Sequence, residues 1–232
     1  MACLNGNLEM LKYLHKHNFK IGRNTSIGAI IGKSMECLEY LNQNHFDVFS
    51  TYHLNAAAIF GNIDYVNFMI NQPFISIGNN KNNIYREFRK HYEYDSFSTT
   101  KYSIEYNQLD FYITIFPIFG ETNSDGCIAC QYGSLEILKF LKKQSDLDKD
   151  TIWYGNGYYS DASSNGQLEI LKYLHSIKYN MYCNAVELAA ENGYFDCLKY
   201  LIEKNYNYNI DECIELSKNS QEIINFLNTL KE

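Results

Sequence analysis

Apolar residues in this chain cluster in short stretches with helical spacing, and the stretches repeat. In GQLEILKYL (166–174), Leu168, Leu171 and Leu174 recur every three residues, with Ile170 and Tyr173 widening the stripe. Glu169 and Lys172 stand three apart on the open side, where an acid before a base adds a little helix stability. Near-copies begin at Gly6 (GNLEMLKYL), Gly32 (GKSMECLEYL), Gly61 (GNIDYVNFMI), Gly133 (GSLEILKFL) and Gly193 (GYFDCLKYL). Two weaker copies place Asn at the anchor, at Asn107 (NQLDFYITIF) and Asn219 (NSQEIINFLN). Successive anchors are 26, 29, 46, 26, 33, 27 and 26 residues apart, a regularity that points to an internal repeat.

Each copy predicts one short helix. The anchor predicts the end of a preceding helix and a turn with positive φ, a backbone state that Gly adopts freely and Asn tolerates. The preceding helices are visible as YHLNAAAIF (52–60) and NAVELAAEN (184–192), whose alanines allow close approach. One such pair cannot bury its apolar stripe alone, whereas stacked neighbours can. The expectation is an all-α solenoid of about eight helix-turn-helix repeats over residues 1–232, treated as a single repeat domain.

The stretch NAVELAAENGYFDCLKYLIEKN (184–205) resembles an ankyrin repeat, whose usual form runs T-P-L-H-x-A-A-x-x-G-x-x-x-x-V-x-x-L-L. The resemblance covers most of the chain outside about 74–96. Two departures stand out: no unit keeps the Thr-Pro-x-His opening, and spacings near 26 are shorter than the usual 33. The short-loop, Asn-rich form is similar to ankyrin proteins of AT-rich amoebae and giant DNA viruses. Heavy use of Asn, Ile, Tyr and Lys agrees with an AT-rich genome. The resemblance implies a non-catalytic protein-protein interaction scaffold or adaptor with an unidentified protein partner. The alternative is a structural subunit that self-associates through its N-terminal end, since MACLNG supplies only the tail of a first helix.

The pattern breaks in three places. The 46-residue interval holds an insertion at about 76–95, whose IYREFRKHYEY segment contains two of the three arginines. Tyr85, Arg86, Arg89, Lys90 and Tyr92 read either as a recognition arm, because Arg and Tyr are frequent interface anchors, or as a solvated helix that covers a gap in the stack. Next, YNQLDFYITIFPIF (106–119) reads as a decayed repeat or, from its alternation, as a strand, with Pro117 ending either element. The 33-residue interval carries the only tryptophan, Trp153, which reads as an exposed contact or as the buried pin of a longer loop.

Composition narrows the function classes. The formal charge of −7 argues against nucleic acid and against an anionic membrane surface, both of which favour basic proteins. No stretch approaches the ~20 apolar residues of a membrane span, and MACLNGNLEM shows no basic region followed by an apolar run as a secretory signal would, so the expected location is cytoplasmic or host-cell intracellular. Seven cysteines, an odd number, do not suggest a disulfide framework. CIAC (127–130) has CxxC spacing but no second pair to complete a zinc site. His15 and His17 lie two apart and would not share a helix face. No phosphate-binding or nucleophile motif is present, so no catalytic, metal or cofactor residue is expected.

Overall fold

The computed structural model describes residues 1–71, 96–120, 124–147, 157–180 and 184–231. Among these residues the secondary structure is entirely helical, with a short 3-10 helix at Cys3–Asn5 and fifteen α-helices. The chain divides into two compact units, Met1–Thr122 and Asn123–Glu232.

The first unit holds four helix pairs. The 3-10 turn precedes α1 (Leu8–Lys16); α2 (Arg23–Ile31) precedes α3 (Met35–Gln43); α4 (Thr51–Phe60) precedes α5 (Ile63–Ile70); α6 (Ser96–Glu105) precedes α7 (Leu109–Phe119). Like helices stack on like: α2 packs on α4 and α4 on α6, while α1 lies against α3 and α5 against α7. The second unit repeats this arrangement with α8 (Asp125–Tyr132), α9 (Leu135–Leu147), α10 (Tyr158–Ser164), α11 (Leu168–Ser176), α12 (Ala185–Glu191), α13 (Phe195–Glu203), α14 (Ile210–Leu216) and α15 (Gln221–Thr229). There α8, α10, α12 and α14 form one row. The expected all-α helical repeat architecture is therefore the observed one, with eight pairs among the described residues.

Small residues make the rows possible. Ala57, Ala129, Ala162 and Ala189 occupy one position of the first helices and are completely buried, so neighbouring backbones come close. The second helices bury larger side chains such as Leu38, Val66, Leu138, Leu171 and Leu198. Each stabilises its unit by roughly 1.5–3 kcal/mol through loss of apolar surface to water.

One turn geometry joins helix to helix in seven of the eight pairs. The residue after the left-handed position donates its N–H to the carbonyl five residues earlier: Asn62 to Ala57 (2.9 Å), Ser134 to Ala129 (2.9 Å) and Gln167 to Ala162 (2.9 Å) show the pattern. Four of the second helices end in the same motif, which the repeat template does not foresee. Asn18, His45, Lys178 and Asn205 have positive φ, and the aromatic that follows each donates back, as Phe46 does to Leu41 (3.0 Å) and Tyr179 to Leu174 (2.9 Å).

Several expectations need correction. The left-handed residue of the second pair is Lys33 (φ 52°), not Gly32 (φ −78°). Gly32 is required for another reason: a Cβ there would run into the Leu4 backbone of the 3-10 turn. Asn219 is not among the positive-φ residues; α14 stops at Leu216, and Ser217 bonds to Cys213 O (2.7 Å) and Ala190 O (3.3 Å) instead. Residues 109–119 are helical, which settles the strand-or-repeat question for the repeat. Pro117 does not end that helix. It sits in the last turn, where the carbonyl it leaves unbonded belongs to exposed Ile113, and Gly120 N–H closes the turn onto Phe116 O (2.7 Å). The insertion at about 76–95 lies outside the described residues.

Candidate protein-interaction surface

The pairs are tied to one another by side chains at a single template position, the residue after the left-handed turn. Asn62 Nδ2 donates to Ile30 O (2.8 Å), Gln108 Nε2 to Ile59 O (3.1 Å) and Gln167 Nε2 to Gln131 O (3.1 Å). In each case the acceptor is the penultimate carbonyl of the preceding pair's first helix; Ile30 O also accepts from Lys33 N (3.1 Å). The glycines below these amides are there for space as well as for φ. A Cβ on Gly61 or Gly133 would overlap the carboxamide of Gln108 or Gln167.

The fourth residue of α4's opening carries out a second tie. His53 is fully buried; its Nε2 meets Ser26 Oγ at 2.7 Å and its Nδ1 meets Ser50 Oγ at 2.6 Å. Ser50 and His53 form a capping box, so this unit retains the Ser/Thr and His of the Thr-Pro-x-His opening although it lacks the Pro. Burial pushes the His53 imidazole below its ordinary pKa; Asp47 opposes that shift and Arg23 adds to it.

Among the described residues, Cys3, Cys37, Cys130, Cys197 and Cys213 are buried. Burial pushes Cys3, Cys127 and Cys213 up to about 12 and Cys197 to about 11, and holds Cys130 well above the ordinary thiol range. Of the CxxC pair, Cys130 is buried and Cys127 is half-buried beside Asp161, whose carboxylate accepts its hydrogen bond. A thiol held protonated is a weak nucleophile. Among the described residues no cluster of three His, Cys, Asp or Glu could hold a metal ion, and no helix is long and apolar enough to cross a membrane.

Surface aromatics occupy a repeated place that the template overlooked. Phe60, Tyr106 and Tyr132 each close a first helix immediately before the left-handed residue, and they are 43%, 48% and 37% exposed. The signal was present in the sequence as an aromatic just before the anchor in three successive copies. It was missed because reading started at the anchor. Tyr85, Arg86, Arg89, Lys90, Tyr92 and Trp153 all lie outside the described residues.

Within each unit, stacked helix pairs, left-handed turns and amide ties define an α-helical repeat protein. Within it, residues 126–212 match the family model for ankyrin repeats in three copies. That stretch spans α8 to the start of α14, and the described residues among 1–120 show the same turn bonds outside it. No curated protein matches the chain. Ankyrin repeats generally mediate protein-protein interaction.

Proposed function

We propose that this chain is a non-catalytic scaffold or adaptor that binds a protein partner. The observation that carries the reading is the recurrence of exposed aromatics at one position, Phe60, Tyr106 and Tyr132, on helix pairs whose turns are tied internally. Aromatic side chains on a rigid frame supply interface area at small entropic cost. On composition, Tyr85, Arg86, Arg89, Lys90, Tyr92 and Trp153 are proposed as additional contacts. The test is capture of partners from a cell lysate by the wild-type chain, by Phe60→Ala/Tyr106→Ala, and by a chain with residues 76–95 replaced by a Gly/Ser linker. A specific partner lost with the aromatic pair supports the reading; recovery of the bait alone sinks it.

Self-association is the second reading, and Met10 favours it. The template position of Met10 is occupied elsewhere by Cys37, Tyr65, Phe111, Ile137, Ile170, Cys197 and Ile223, all completely or almost completely buried against a neighbouring pair. Met10 is 46% exposed, with exposed Tyr13 and Phe19 on the same pair.

A further inference from the structure

Two pair faces stay uncovered among the described residues, and they are opposite faces. Within each unit the template position of Met10 is buried wherever a pair precedes: Cys37, Tyr65 and Phe111 in the first unit, Ile170, Cys197 and Ile223 in the second. Met10 itself is 46% exposed. The next template position is buried wherever a pair follows: Leu11, Leu38 and Val66 in the first unit, Leu138, Leu171 and Leu198 in the second. In the last pair that position is Ile224, which is only half-buried. The first pair therefore shows the face that receives a preceding pair, and the last pair shows the face that receives a following one.

Three groups on the first pair match groups that find partners inside the array. Asn7 accepts from Met10 N (2.8 Å), as Asn62 does from Tyr65 N (3.1 Å). Asn62 Nδ2 goes on to donate to Ile30 O of the preceding pair, whereas Asn7 Nδ2 has no acceptor among the described residues. Tyr13 holds the position of Tyr40 and Tyr200, which meet His15 and His175 of the pair before. Phe19 holds the position of Phe46 and Tyr206, whose rings meet the same histidines. Tyr13 and Phe19 are exposed. On the last pair the histidine position is Asn228, an exposed amide that can both donate and accept.

Charge selects the occupant. Residues 1–20 carry Lys12, Lys16 and Lys20 against Glu9, a net of +2. Residues 210–231 carry Asp211, Glu212, Glu215 and Glu222 against Lys218 and Lys231, a net of −2. A first pair docked on another first pair sets basic against basic. A first pair docked on a last pair brings opposite signs together.

We propose that the Met10 face docks on the Ile224 face of a second copy, so that the stack of one chain continues into the next. The proposal rests on the self-association reading above and names the surface that the Met10 face takes. The contact joins two different faces, so each copy that docks leaves its other face open for a further one.

The experiment is sedimentation velocity on the full chain, on Met10→Glu, on Ile224→Glu and on an equimolar mixture of the two variants. The wild type should gain mass with concentration, and each variant alone should stay monomeric. The mixture should form a dimer and stop there, because Met10→Glu still offers the Ile224 face and Ile224→Glu still offers the Met10 face. That recovery also shows that both variants are folded. Asn228→Lys, a change at an exposed position, sets a cation against the basic face and should weaken association about threefold. Should Ile224→Glu lose its cooperative urea transition, the Asn228→Lys result decides. Self-association of Ile224→Glu alone overturns the proposal and leaves self-association through the Met10 face standing. A mixture of folded variants that stays monomeric, or association undiminished in Asn228→Lys, also overturns it. A wild type that stays monomeric at every concentration overturns both the proposal and the reading it rests on.

Discussion

His15 Nδ1 lies 2.8 Å from the Tyr40 hydroxyl, and the same contact recurs between His175 and Tyr200 at 3.4 Å. In both places the partners are 25 residues apart and sit on second helices of adjacent pairs. Each histidine also meets, edge-on, the aromatic that closes the next second helix, Phe46 at 5.1 Å and Tyr206 at 5.8 Å between ring centroids. These histidines join neighbouring pairs. Tyr40→Phe removes only the hydrogen bond and should lower stability by about 0.5–1.5 kcal/mol, measured as a shift of the urea midpoint at constant m-value.

His53 makes stability fall at mildly acidic pH. Its folded pKa is depressed by burial, so the unfolded chain takes up the proton first as pH drops. The neutral-His contribution is fully present above the unfolded value of about 6.5 and declines as pH falls through it, by at most about 1.4 kcal/mol per pH unit. Urea unfolding at pH 7.5 and 5.5 should show a larger acid loss for wild type than for His53→Gln. Equal losses would mean that the imidazole is not held neutral.

The described thiols should resist alkylation. With Cys3, Cys127, Cys197 and Cys213 pushed to about 11–12, almost none is thiolate at pH 8. Iodoacetamide labelling followed by peptide mapping should find these four slow in buffer and fast in urea. Rapid labelling of Cys127, the half-buried member of the CIAC pair, would show that its bond to Asp161 does not persist in solution.

Gly133→Ala tests the seat below Gln167. The substitution places a side chain at φ 75° and against the carboxamide, and should cost about 1–3 kcal/mol. Combined with Gln167→Ala, part of that loss should be recovered, because the steric share disappears with the amide. A strictly additive double-mutant cycle would show that the amide yields without cost.

The face around Met10 carries the self-association reading. Sedimentation at two concentrations should show a mass that rises with concentration for wild type and stays monomeric for Met10→Glu. A monomer in both leaves that face without this role.

The helix stripes and the Gly anchors were legible because burial repeats at a fixed spacing and because Gly marks positive φ. Lys33 was hidden because an ordinary residue took the left-handed position while the adjacent glycine served a different purpose, clearance from Leu4. The amides of Asn62, Gln108 and Gln167 look like unremarkable polar residues until the preceding helix end is seen beneath them. Their acceptors lie about 32–49 residues earlier, beyond any local pattern. Ser50-x-x-His53 was readable as an opening motif, but the missing Pro concealed it. The aromatics Phe60, Tyr106 and Tyr132 were readable too, one residue outside the window that defined the repeat.

The amide ties have a direction. In all three the donor belongs to the later pair and the acceptor to the earlier one. A chain emerging from the ribosome therefore presents each new pair to a helix end that already exists, so assembly can proceed from the N-terminus without waiting for sequence still to come. A ribosome-stalled series ending after successive pairs would gain protease resistance one pair at a time.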